Sequence, residues 1–193
     1  MTIALHLIQI LQRPRITVSS ISFFFCLFFT IWIDFFLHLE CDDTWTLQTI
    51  GSRSLCFKHL GDTTWDAGNA LCAAEGASLF MPLNAQENNE FYSYTVSLSL
   101  SGVWLDGIDT AVENEWRTSS GDLITYFNWQ GGQPDNAGGI EDYIHYHAPW
   151  GANWNDITPS YTENVLCQKP PSRKSSCSQT TGCQQCWTSN QYH

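Results

Sequence analysis

The stretch "GGQPDNAGGIEDY", residues 131–143, sets three acids and two amides among four glycines and one proline. That many chain breakers in so short a span exclude a helix or a ladder strand, so the segment reads as a loop. Apart from Tyr143, its polar side chains all carry oxygen acceptors: Gln133, Asp135, Asn136, Glu141 and Asp142. "WND" follows at 154–156 and adds an amide and an acid. From Gly102 to Gln168 the chain carries ten acids and a single base, Arg117. Carboxylates at that density repel one another unless positive charge sits among them or they line a fully solvated face.

The whole chain of 193 residues shares the bias, with 19 Asp and Glu against 8 Lys and Arg and a formal net charge of −11. Its length fits one globular domain with accessory segments. Binding nucleic acid through phosphate neutralisation is disfavoured, and cations are the natural partners. "ISFFFCLFFTIWI", Ile21–Ile33, is apolar apart from one serine and one threonine, with Arg13 and Arg15 before it and Asp34 after it. Residues 1–40 therefore read as an export signal. Cleavage leaves a secreted protein; the alternative is a type II single-pass anchor, and in both cases the remainder lies outside the cell. Seven of the eight cysteines lie beyond the apolar run, in keeping with an oxidising compartment. Seven is odd, so one thiol lacks an internal partner.

Residues 41–169 read as the folded unit. "TTWDAGNALCAAEGASL" offers Thr63 or Thr64 as N-cap, Trp65, Asn69 and Cys72 on one face, and Gly76 where a helix ends, followed by an apolar strand. "NAQENNEFYSYTVSLSL" has Asn84 as N-cap with Glu87 three residues on, then Phe91, Tyr94 or Thr95, and Leu98 on one face. After Gly102 the pattern turns to short strand-like pieces, "GVWLDGI", "NEWRTS", "TYFNW", "YIHYHA" and "NVLCQK", between Gly, Asn, Asp and Pro clusters. Two helices followed by strands and long loops make an α+β domain. The tail, residues 170–193, is polar and rich in breakers, which predicts poor order. It carries Cys177, Cys183 and Cys186; one internal pair leaves one sulfur free, so a disulfide-linked homodimer is expected.

These pieces together resemble the C-type lectin-like domain family, in its QPD-type, long form, over Cys41 to Gln168. The landmarks are Cys41 and Cys56 around an N-terminal hairpin, Trp65 and Cys72 on the first helix, and "WLDG" at 104–107. They continue with "FNW" at 127–129, "QPD" at 133–135, "ED" at 141–142, "WND" at 154–156 and Cys167 in the last strand. The resemblance implies two helices with small antiparallel sheets and a long calcium-binding loop region, and disulfides Cys41–Cys56 and Cys72–Cys167. It implies Ca²⁺ held by Gln133, Asp135, Glu141, Asn155 and Asp156, a set of carboxylates and amides suited to a hard cation that takes six to eight oxygens. Pro134 fits a cis peptide. A second ion is expected at Asp109, Glu113, Asn136 and Asp142 with Glu141. Sugar hydroxyls fill the open positions of the principal ion, meeting Gln133, Asp135, Glu141 and Asn155, with Trp150 stacking on the sugar. "QPD" implies a galactose or N-acetylgalactosamine ligand. The runner-up is a lectin-like domain that binds a protein, with calcium structural or absent. Two positions depart from the family: Tyr143 and Pro159 stand where it usually has a disulfide pair.

"HYH" at 145–147 places two imidazoles on one strand face, as some zinc sites do, but without a third ligand at useful spacing these read as surface or loop histidines. "CQQC" at 183–186 reads as a disulfide in an exported tail. Trp154, inside "WND", is assigned to the core and Trp150 to the surface. No nucleophile stands with a base and an orienting partner at recognisable spacing, so an enzyme is the disfavoured class.

Overall fold

Helix α1, Trp65–Ala74, starts after the extended Thr64, buries Trp65, Gly68 and Cys72, and stops before Gly76 at φ 65°. Thr64 makes no side-chain cap. Helix α2, Ala85–Ser97, is capped as its sequence predicts: the Glu87 N–H donates to Asn84 Oδ1 at 3.0 Å. It buries Glu87, Asn88, Phe91 and Thr95, whereas Leu98, predicted on the same face, lies just past the helix and is 40% exposed. The structure, a computed structural model, describes residues 38–174, and Leu39–Ser172 form one compact unit. The apolar segment Ile21–Ile33 and the tail cysteines Cys177, Cys183 and Cys186 lie outside the described residues.

The strands are β1 (His38–Glu40), β2 (Thr46–Ile50), β3 (Arg53–Thr63), β4 (Ser78–Leu79), β5 (Gly102–Ile108), β6 (Tyr143–His147), β7 (Trp154–Ile157), β8 (Glu163–Lys169) and β9 (Ser172–Lys174). β1 pairs with β9; the main sheet runs β2-β3-β8-β5-β6-β7, with β4 added on β8. It comprises two antiparallel groups, β2-β3-β8 with β4 and β5-β6-β7, joined by a parallel pair at Val103 and Asn164. Two predicted strands do not form. "NEWRTS" and "TYFNW" touch their neighbours only through isolated bridges, Ile108–Arg117, Arg117–Leu123 and Trp129–Trp154. Their aromatic spacing reflects side chains anchored in the core, with Trp116 4% exposed and Trp129 packed against the same cluster, and not a continuous ladder.

Disulfides close Cys41 to Cys56 and Cys72 to Cys167, the pairs the resemblance implies. Trp65 Nε1 donates to the Leu105 carbonyl at 2.7 Å, tying α1 to β5, and Trp104 Nε1 donates to the Thr63 carbonyl at 2.8 Å, tying β5 to the end of β3. Asn88 does the same for the far edge: its Oδ1 accepts from Tyr146 Oη at 2.6 Å and Trp154 Nε1 at 2.7 Å, and its Nδ2 donates to the Ala152 carbonyl. The β6–β7 hairpin is thereby fixed to α2, and residues 109–142 cross above it.

Candidate metal centre

Asp156 on β7 is fully buried and organises the loop above it. Its Oδ1 accepts from the Asp135 N–H at 3.2 Å and its Oδ2 from the Asn136 N–H at 2.7 Å. Asn136 then takes a left-handed backbone, φ 43° and ψ 52°, which turns the chain into a single 3-10 turn at Ala137–Gly139. Two bonds close that turn: the Ala137 N–H donates to Glu141 Oε2 and the Glu141 N–H donates to Asn136 Oδ1, both at 3.1 Å. The result is that Asp135, Glu141 and Asp156 each present a carboxylate oxygen, all within 4.8 Å of one another.

Three carboxylates so close repel strongly, and among the described residues no ion pair engages any of them. Burial, and then the charges of Asp156 and Asp135, push the Glu141 carboxyl above its ordinary range. The Gln133–Pro134 peptide is cis, and Gln133 Oε1 accepts from the Asp135 N–H at 3.0 Å. Asn155 precedes Asp156 in the chain; its Nδ2 lies 3.2 Å from His145 Nε2, while its Oδ1 is buried with no hydrogen-bond partner. A buried, unpaired amide oxygen on the residue next to Asp156, with three clustered carboxylates that lack a counter-charge, is a donor set for a hard cation, and it fits Ca²⁺.

The residues of the second expected site make contacts in pairs; among the described residues its acids do not form a group of three carboxylates within 4.8 Å of one another, as those of the first site do. Asp109, 3% exposed, accepts the Asn114 N–H on Oδ2 at 2.8 Å and leaves Oδ1 buried and unpaired. Its N–H donates to the Asp142 carbonyl at 3.2 Å, and Asn136 Nδ2 donates to Glu113 Oε2 at 2.5 Å. Desolvation above all, opposed by the bond from Asn114 and reinforced by Glu113, Asp142 and Asp156, raises the Asp109 pKa to about 6. Asn136 thus links the two clusters through its backbone and its side chain.

Trp150 is placed elsewhere. It sits half-buried in the turn after β6, edge-on to His147 with ring centroids 5.0 Å apart. Glu141 precedes the other end of the same strand, so the five residues of β6, about 17 Å of extended chain, separate them. The expected stacking partner therefore sits past the opposite end of β6 from Glu141. His145 is also misread by its sequence: it is 2% exposed, inward-facing and bonded on both ring nitrogens, not a surface or loop residue. Tyr143, in a family cysteine position, is 7% exposed and packs on Trp65 at 5.4 Å and Trp104 at 6.4 Å, while Pro159 is exposed. An aromatic contact with the core occupies the place of a crosslink. Sequence reasoning did not anticipate the bonds from Glu163 to His145 and from Asn155 to His145; the register that sets His145 opposite Asn155 appears only once β6 and β7 pair.

Several solved structures share this architecture. The carbohydrate-recognition domain of the mouse scavenger receptor C-type lectin is 24% identical, with a TM-score of 0.59 over 68% of this chain and 98% of that one. The C-type lectin CEL-I from Cucumaria echinata is 21% identical, with a TM-score of 0.59 over 70% and 99%. A calcium-independent type II antifreeze protein is 22% identical, with a TM-score of 0.59 over 69% and 97%. At these identities the likeness is one of fold. The model of the lectin C-type domain matches residues 62–169, from the end of β3 to the end of β8. The chain belongs to the C-type lectin domain family.

Proposed function

We propose that the domain binds Ca²⁺ through Gln133, Asp135, Glu141, Asn155 and Asp156 and uses the ion to hold a galactose-type sugar outside the cell. The observation that carries this is the group of Asp135, Glu141 and Asp156 oxygens within 4.8 Å, with the orphaned Asn155 Oδ1 alongside in sequence. The fold alone does not require the ion, because it is shared with a protein described as calcium-independent; the reading rests on this chain's own acceptors. Bound there, Ca²⁺ neutralises the carboxylates and supplies open coordination positions for neighbouring hydroxyls.

The side chains then sort the hydroxyl hydrogens. Carboxylates of Asp135 and Glu141 only accept, so they accept hydrogen bonds from the sugar hydroxyls; amide N–H groups of Gln133 only donate, so they donate to its oxygens. Gln133 Oε1 already accepts from the Asp135 N–H, which leaves its Nε2 donors for the ligand. The order amide, proline, acid at 133–135 fixes which hydroxyl meets a donor and which an acceptor, and supports a galactose or N-acetylgalactosamine preference. With Trp150 remote from the carboxylates, stacking adds little there, and binding should be weak and broad. The test is retention on galactose resin in calcium and elution by chelator. Galactose should outcompete mannose, and Gln133→Glu with Asp135→Asn should reverse the order. Failure to be retained in calcium, or stronger competition by mannose for the native protein, rejects the sugar assignment.

A further inference from the structure

Behind Asn155 stand two side chains, His145 and Glu163, that are not among the ligands described above. Glu163 Oε1 lies 3.0 Å from His145 Nδ1, and His145 Nε2 lies 3.2 Å from Asn155 Nδ2. The direction of each bond is fixed by chemistry. A carboxylate only accepts, so Nδ1 carries the imidazole proton; an amide nitrogen only donates, so Nε2 is the acceptor. Both constraints select the same neutral tautomer. The remaining end of the amide, Asn155 Oδ1, is the buried oxygen with no partner.

We infer that Glu163 and His145 are positioning residues that hold the Asn155 amide with its oxygen, and not its nitrogen, available to the cation. The inference rests on the calcium reading proposed above. The two ends of an amide have nearly the same shape, so packing alone does not choose between them. A carboxylate within reach would favour the opposite choice in the absence of a cation, with Nδ2 donating to it; a cation there would be repelled by those hydrogens. The relay makes that rotation cost the bond to His145. It is itself locked: His145 is 2% exposed with its ring centroid 5.9 Å from that of Trp104, and Glu163 fills space opened by Gly102, where an added Cβ would stand 1.9 Å from Glu163 Oε2. Asn164 Nδ2 donates to the Gly102 carbonyl at 2.7 Å and keeps β8 against β5 at that point. Outer groups of this kind commonly set metal affinity by 10–100-fold.

The test is calcium titration by calorimetry on the protein and two variants, with thermal unfolding in chelator recorded for each. His145→Gln keeps one donor end and one acceptor end and should retain near-native affinity. His145→Phe keeps a buried ring without either and should bind calcium roughly 10–100-fold more weakly. Equal affinity of His145→Phe and the native protein, or equal loss in both variants, overturns the relay. If the native protein takes up no calcium, the proposed function fails instead. The relay then stands or falls on the ¹⁵N shifts of the His145 ring in calcium-free protein, where protonation at Nδ1 supports it and protonation at Nε2 overturns it. The same measurement decides the matter if His145→Phe does not fold.

Discussion

Strands β2, β3 and β8 with helix α1 and the turn before β2 carry both disulfides, Cys41–Cys56 and Cys72–Cys167, whereas residues 109–158, which include β6 and β7, carry none. The first region is closed covalently and packed around Trp45, Trp65 and Val165; its stability owes little to the solution around it. In the second, the positions that the family usually crosslinks hold Tyr143 and Pro159, and the chain is drawn around three carboxylates that repel one another. One region is ordered by its own bonds. The other is ordered against an electrostatic penalty that a cation would remove; on the calcium reading proposed above, one ion would serve both its order and its function.

The comparison breaks most visibly at the long crosslink. Cys72 and Cys167 are 95 residues apart, and replacing both with alanine should destabilise the domain by about 4–5 kcal/mol on the chain-entropy account. Chemical unfolding should show this loss equally in calcium and in chelator; a loss confined to chelator would mean that the two regions are not held separately. Next in size, Tyr143→Ala should cost about 3 kcal/mol, because a buried ring against Trp65 and Trp104 leaves a cavity where no disulfide remains to hold β6. A change below about 1 kcal/mol would show that the ring does not replace the crosslink. Chelation should then raise amide exchange across residues 131–158 while leaving β3 and β8 unaltered, and uniform exchange would remove the distinction.

The smallest effect concerns pH. Asp109 has a folded pKa of about 6, above the ordinary aspartate value, so its contribution to stability is complete under acid conditions and is lost as pH rises through about 6. Calcium-free protein should therefore lose thermal stability between about pH 4 and about pH 6. Asp109→Asn should flatten that window; an unchanged slope would assign the dependence to other groups.

The sequence made the first region easier to read than the second. Helix ends follow local rules, so Asn84, Glu87 and Gly76 announced α2's start and α1's stop, and the structure has both. The two disulfides followed from the resemblance. "NEWRTS" and "TYFNW" misled because aromatic residues that alternate toward a core look like a strand even where the backbone makes single bridges. The acids and amides of 133–156 were legible as a group, since chemistry marks them residue by residue. Trp150 and His145 were not: what separates an exposed ring from a half-buried one, or a surface imidazole from a buried relay, is the pairing of β6 with β7, which no local pattern states.

If Asp135, Glu141 and Asp156 share a calcium ion, Glu141 is the ligand to remove, because its carboxylate closes the 137–141 turn from the loop side. Thermal unfolding of the native protein and of Glu141→Ala should be compared in calcium and in chelator. Calcium should stabilise the native protein, by about 2.7 kcal/mol at a hundredfold excess over its Kd, and the alanine variant should lose most of this gain if the three carboxylates share the ion. An equal calcium-dependent rise in the two proteins would contradict it, as would a native protein whose unfolding is the same with and without the ion.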